Sequence, residues 1–158
     1  MVDINALKQF VMLGYLADDM LTKLARITDI LQYQENEMVF NQGQAADRLF
    51  LLEAGKVLLE QRITDTLTIS LSAIEPGFSF GWSAMLDQGE YSTNALCARD
   101  SVIYSFKADR LKRLMEHDHS MGFIISQRLL YVLKKRYDAR TEQFVKTIEC
   151  HPEIASLL

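Results

Sequence analysis

Apolar residues along this chain change their period twice. In the first thirty positions they recur at three-and-four spacing, as Ile4, Leu7, Phe10 and Val11 in DINALKQFVML (3–13) and as Met20, Leu21, Leu24 and Ile27 in LADDMLTKLARITDIL (16–31). That spacing lines one side of a helix, so two amphipathic helices are predicted. From Tyr33 the period shortens. EMVFNQG, RLFLLEAGKVLLEQRI, LTISLSAIEPG and SVIYSFK are short runs rich in β-branched and aromatic residues, punctuated by Gly43, Gly55, Pro76 and Gly77. Short strands divided by turn residues predict an all-β barrel or jelly roll. In LTISLSAI, Leu67, Ile69, Leu71 and Ala73 fall on one side and Thr68, Ser70 and Ser72 on the other, the pattern of an antiparallel strand half-buried on one face. TDTLT, with Asp65, reads as a hairpin tip.

From Ala108 the helical spacing returns, first in ADRLKRLMEHD and then in a run from about Ser120 to Ile148, with Asp118 placed to cap its start. The expected fold class is α+β: an antiparallel β jelly-roll barrel (double-stranded β-helix) flanked by N-terminal helices and a long C-terminal helix. Its expected division is an N-terminal helical segment (1–31), the β unit (32–107), the C-terminal helices (108–149) and a tail (150–158). Along the last helix Leu130, Leu133, Tyr137, Phe144 and Ile148 form one apolar stripe, and Ile125, Leu129 and Val132 a second. A helix of about 28 residues is roughly 40 Å long, more than a domain of this size covers. Self-pairing into a homodimer through this helix is the preferred expectation, ahead of a regulatory protein partner or packing on the barrel alone. Arg140 interrupts a perfect heptad.

Composition narrows the functional classes. With 158 residues and 49% hydrophobic content, the chain suits one domain with one substantial core. A formal net charge of −4 argues against a polyanion binder, and no recognition helix follows the long helix, so direct DNA binding is not expected. No apolar run is long enough to span a membrane and no signal segment leads the chain, which predicts a cytoplasmic protein without membrane contact. Cys97 and Cys150 have no partner spacing and read as free thiols. In HDH (117–119) residues two apart do not share a helical face, so no metal site is expected there. GWSAM lacks the second glycine of a nucleophile elbow and no histidine is placed as a base, so no catalytic residue is assigned and the chain reads as non-enzymatic. A small-molecule enzyme on a jelly roll would need histidines on strands, and none lies in one.

The stretch GFSFGWSAMLDQGEYSTNAL (77–96) carries the most chemistry. Two glycines frame an aromatic-rich strand, a short helix starts at Trp82, and Ser92 and Thr93 follow a loop containing Glu90. Together with FNQGQAADRLFLLEAGKV, IEPGFSFG, ARDSVIYSF and the long C-terminal helix, this order resembles the cyclic-nucleotide-binding domain of catabolite-activator-type regulators and kinase regulatory subunits, over roughly residues 18 to 148. The resemblance implies a jelly roll whose cassette holds a cyclic phosphate on a turn and helix start, with a cationic side chain neutralising it and a carboxylate taking the ribose hydroxyl.

Gly81 falls at the cassette glycine of that pattern, between Phe80 and Trp82, and Ser83 and Ala84 continue the short helix. Where the family pattern has a glutamate this chain has Trp82. Where it has an arginine before a hydroxyl and a small residue, this chain has Tyr91, then Ser92 and Thr93. Each missing charge-assisted contact is worth roughly 1.5–3 kcal/mol, so affinity for cAMP or cGMP is expected to be weakened by about two to four decades. Three readings stay open: Trp82 and Tyr91 fill the vacated pocket, a different and less anionic ligand binds, or a cyclic nucleotide still does. Arg140 and Thr141, on the long helix, fall where the family brings side chains over the base, and otherwise belong to a solvated face. The run LKKRYDAR (133–140) reads as such a face. The expected function is a stand-alone sensor or regulatory module relaying a ligand through its last helix. The alternative is a structural dimer or adaptor that has lost ligand response.

Overall fold

The computed structural model describes residues 2–155, so the end of the 150–158 tail lies outside the described residues. Asp3 caps α1 (Ile4–Lys8) by accepting from the Asn5 N–H at 2.9 Å. The helical spacing over 3–13 becomes this single short helix followed by turns that still bury Phe10, Met12 and Leu13. α2 (Asp18–Ala25) ends at Ala25, where the sequence spacing predicted helix as far as Leu31. β1 (Thr28–Tyr33) follows at once, and the Thr28 hydroxyl donates to Leu24 O at 2.8 Å across the junction. Leu24, Ile27 and Leu31 satisfy a helical period, but pairing from Thr28↔Phe106 to Tyr33↔Ser101 satisfies the backbone of this segment instead.

β1 pairs with β6 (Asn94–Lys107), β6 with β3 (Arg48–Arg62), and β3 with β4 (Thr68–Ile74), all antiparallel. β2 (Met38–Phe40) also lies along β6, and β5 (Ser79–Phe80) along β3. As expected from sequence, the fold is α+β with an antiparallel sheet and a long C-terminal helix; the ladder runs in the order β1-β6-β3-β4, and its two end strands are not paired to each other among the described residues.

The run LFLL (49–52) near the start of β3 is continuously apolar because both faces of the sheet are covered there. Leu49 and Leu51 pack with Leu7, Phe10, Leu21, Leu24, Tyr104, Phe106 and Ile125 in a core shared with the helices. Phe50 and Leu52 point the other way, into a second core with Phe40, Phe80, Tyr91, Cys97 and Ile103. The Arg48 guanidinium, at the entry to β3, bonds Asp29 Oδ2 at 2.8 Å and Ser105 Oγ at 2.7 Å.

β4 reverses an expectation. Ile74 is buried and shares its face with Ser72, whose hydroxyl is buried without a partner, whereas Leu67, Ile69 and Ala73 are exposed. Register sets this outcome. Ile74 meets buried Val57 and Ser72 meets Leu59, a bulge at Leu59/Glu60 leaves Leu71 unpaired, and Ile69, opposite Gln61, comes back to the Ile74 side only at the exposed far end of the hairpin.

α3 (Ala108–His117) and α4 (His119–Glu149) follow, and α5 (Pro152–Ala155) is a single turn. Asp118 caps α4, as the sequence predicted, accepting from Met121 N–H at 3.1 Å and from Lys23 Nζ at 2.6 Å. α4 has 31 residues, roughly 46 Å. Its first half is held down: Met121, Ile125 and Val132 are buried, and the Arg128 guanidinium lies between the Tyr15 and Tyr131 rings while donating to Val11 O. Every residue from Ala139 to Cys150 is exposed. Among the described residues no helix is long and apolar enough to cross a membrane.

Candidate functional site

The cassette is built on two close approaches of backbone. Strand β5 pairs Phe80 with Phe50 and Ser79 with Leu51, and Gly81 then turns the chain with φ +77°. A Cβ at Gly81 would sit 2.8 Å from Phe50 Cδ2, so both conformation and space require glycine. A 3-10 turn over Trp82–Met85 follows, and the loop after it is tied back by Tyr91 N–H to Gln44 O (2.9 Å), Gly43 N–H to Tyr91 O (2.8 Å) and Ala46 N–H to Gly89 O (2.8 Å).

Between this cassette and α4 lies a cavity of about 260 Å³. Of the residues singled out from sequence, Gly81, Trp82, Ser83, Tyr91, Ser92, Thr93 and Arg140 line it. Phe80, Ala84 and Thr141 are not among its lining residues. Phe80 is fully buried between Phe40 and Phe50, Ala84 is buried beneath the turn, and the Thr141 hydroxyl bonds back to Tyr137 O at 3.0 Å on an exposed helical face. The cavity also takes Phe40, Leu59, Leu133, Arg136 and Tyr137, which sequence reasoning did not select. A signal for three of them existed: Leu133, Arg136, Tyr137 and Arg140 repeat at three-and-four spacing on one side of α4.

Tyr91 and Trp82, the two replacements in the cassette, have different fates. The Tyr91 ring stacks on Phe40 at 3.8 Å and 13°, deep in the second core. Its hydroxyl donates to Arg48 O at 2.8 Å and accepts from Arg48 N–H at 3.1 Å, and burial pushes its pKa up. Tyr91 therefore braces the cassette against β3. Trp82 stays at the cavity wall, with its indole N–H donating to Ser79 Oγ at 3.0 Å.

Across the cavity, the Arg136 guanidinium stacks on the Trp82 ring at 4.0 Å and donates to Ser79 O at 3.0 Å. Burial and the neighbouring Arg140 push its pKa down to about 10, which still leaves it charged at neutral pH. The basic run 133–140, expected as a solvated face, thus splits: Lys134 pairs with Asp138 in solvent while Arg136 turns inward and fastens α4 to the cassette.

Elsewhere, a wider groove of about 730 Å³ runs between the cassette turn, α3 and the exposed side of α4, lined by Met85, Leu86, Met115, Phe123, Leu130 and Leu133 among others. Cys97 is buried and Cys150 exposed, both as free thiols. Among the described residues no group of three or more His, Cys, Asp and Glu side chains comes together to hold a metal.

A β unit with a glycine-turned cassette under a long closing helix defines a class of regulatory fold. The family model for the cyclic nucleotide-binding domain matches residues 30–118, more than half of the chain. The chain belongs to the cyclic nucleotide-binding domain family, whose members are generally non-catalytic regulatory modules. It is 30% identical over 101 residues to the cyclic AMP receptor protein of Thermus thermophilus, an alignment that covers 61% of this chain and 47% of that protein. The chain thus spans about half the length of that relative.

Among solved structures it resembles a cyclic nucleotide-binding domain from Methylobacillus flagellatus, with a TM-score of 0.80 and 16% identity over 91% of this chain and 81% of the other. It also resembles the sensor domain of the transcriptional regulator DNR from Pseudomonas aeruginosa, with a TM-score of 0.70 and 19% identity over 85% and 90%. At these identities the structural matches speak for the fold alone.

Proposed function

We propose that this chain is a cytoplasmic, ligand-responsive regulatory module, with residues 32–107 as its sensing unit and the helices of 108–149 as its transmitting unit. A small ligand enters the cavity beside Gly81, Trp82, Ser83, Ser92 and Thr93, and its arrival changes the hold of the cassette on α4. The observation that carries this reading is the Arg136 contact: one side chain of the output helix both covers the Trp82 ring and bonds Ser79 O, so a ligand that takes either contact acts directly on α4. The relative from Thermus thermophilus is named for cyclic AMP, which makes cyclic nucleotides the first ligands to offer, although neither Trp82 nor Tyr91 supplies the missing carboxylate or cation.

The module works as a homodimer through α4. Phe123, Leu130, Tyr137 and Phe144 recur every seven residues and are 66%, 61%, 70% and 66% exposed, an apolar seam that a second copy of the same helix covers. In this arrangement the open groove beside Phe123 and Leu130 becomes part of the interface.

A second reading, a ligand-free dimer or adaptor, is favoured by Tyr91, whose stacking and paired hydroxyl fill the cassette arginine's place with a structural side chain. Calorimetric titration with cyclic AMP and cyclic GMP, joined to limited proteolysis of α4 and sedimentation analysis, separates the two. The sensor reading expects saturating ligand to alter cleavage beyond Ala139 or dimer affinity. Binding of no ligand, with both readouts unmoved, leaves the adaptor.

A further inference from the structure

The cavity between cassette and helix has an unbalanced electrostatic lining. Two arginines of α4, Arg136 and Arg140, stand one helical turn apart on its wall, and no Asp or Glu is among its lining residues, although the chain as a whole carries a net charge of −4. Among the described residues neither guanidinium has a carboxylate within ion-pair distance; the neighbouring Asp138 is taken by Lys134. Arg136 is partly desolvated and repelled by Arg140, so its charge is carried at a cost that an anion would relieve. It uses one N–H on Ser79 O, leaving further donors of its guanidinium free. Ser83, Ser92 and Thr93, each with a hydroxyl, also line the cavity.

We infer that this cavity takes an oxyanion, a phosphate or carboxylate group, held by Arg136 and Arg140 against the hydroxyls of Ser83, Ser92 and Thr93. The cation that the cassette lacks at Tyr91 is then supplied by the helix. An arginine fork suits either oxyanion in bidentate geometry, and Trp82 and Tyr137 also line the cavity. Because the charge sits on α4 instead of on the cassette, anion binding and helix position become one event. The inference rests on reading this cavity as the ligand site.

Trp82 is the chain's sole tryptophan and lies under Arg136, so its emission reports on the cavity directly. The test is a fluorescence titration of the full chain with inorganic phosphate, AMP, cyclic AMP, citrate and uncharged adenosine, at low and high salt, repeated in R140Q and R136Q. At least one oxyanion should bind below millimolar concentration, weaken with salt, and lose roughly tenfold or more in affinity in each variant, with adenosine weaker by a similar factor. Phosphate esters against citrate separate the two oxyanion classes. R140Q alters an exposed side chain and keeps the test independent of folding. Adenosine binding as tightly as AMP, or oxyanion binding unchanged in both variants, overturns the oxyanion site while leaving a ligand-responsive module standing. If no compound, charged or neutral, moves Trp82 emission or α4 proteolysis, both fall.

Discussion

Replacing Tyr91 with phenylalanine removes one oxygen and leaves the ring where it is. In the wild-type protein that oxygen closes two bonds with one residue, donating to Arg48 O at 2.8 Å and accepting from Arg48 N–H at 3.1 Å, in a side chain that is 2% exposed. The phenyl ring keeps its stack on Phe40, so the packing contribution is unchanged to first order. Two neutral hydrogen bonds contribute about 1 kcal/mol each, and the backbone groups left behind add a desolvation penalty, which sets the expected loss at about 2–3 kcal/mol. For a chain of this size each 1 kcal/mol moves Tm by about 2–4 °C, so Tyr91→Phe should melt roughly 4–12 °C lower.

Thermal and urea unfolding followed by circular dichroism and by Trp82 emission measure the loss, and Tyr91→Ala, which also removes the ring, should cost about 3–5 kcal/mol. A Tm within about 1 °C of wild type would refute the account of Tyr91 as a strut. A loss of ligand affinity without a loss of stability would return the hydroxyl to the ligand site. Alkaline pH gives a further signature. Burial raises the Tyr91 pKa above its ordinary 10.0, so the unfolded chain releases the proton first and stability falls as pH rises through the window above about 10; Tyr91→Phe should flatten part of that fall.

Three other changes probe the remaining supports. Gly81→Ala combines a left-handed backbone with a Cβ crowded against Phe50, and should cost at least about 1–2 kcal/mol in urea unfolding; a loss under about 0.5 kcal/mol would mean that the turn relaxes freely. Asp118 has its pKa lowered by hydrogen bonds from Lys23 and the Met121 N–H, so its contribution is complete above about pH 3.8 and disappears as pH falls through the lower folded value. Asp118→Asn should therefore lose acid-dependent protection of the Met121 amide in hydrogen exchange, and an unchanged pH profile would contradict the cap. Phe144→Glu places a charge on the exposed seam of α4 and should shift sedimentation from dimer towards monomer at low micromolar protein without lowering Tm of the β unit; an unchanged mass would remove this helix from the interface.

The sequence made some elements easy to read and others ambiguous for identifiable reasons. The start of α4 was legible because Asp118 is both a cap and the first polar break after ADRLKRLMEH. α2 was read six residues too long because Ile27 and Leu31 meet a helical period equally well, and only the distant β6 decides that Thr28 onward is strand. The faces of β4 were assigned from an unbroken alternation, but the bulge opposite Leu59 and Glu60 puts Ala73 and Ile69 on opposite faces, and no local pattern encodes it.

The cassette was found through Gly81, whose residue type is forced by backbone geometry and so leaves a mark in the sequence. Arg136 left none. Within KKRYD it resembles its solvated neighbours, and its inward turn depends on Trp82, 54 residues earlier in the chain.

The wholly exposed stretch of α4 from Ala139 to Cys150 gives the molecule a mechanical advantage. With the first half of the helix clamped by Arg128 and the midpoint fastened by Arg136, the last 14 or so residues form a rigid arm of about 21 Å. A tilt of about 10° at Arg136 would carry the tip near Cys150 through roughly 4 Å, more than the length of a hydrogen bond, from a displacement at Trp82 too small to disturb either core.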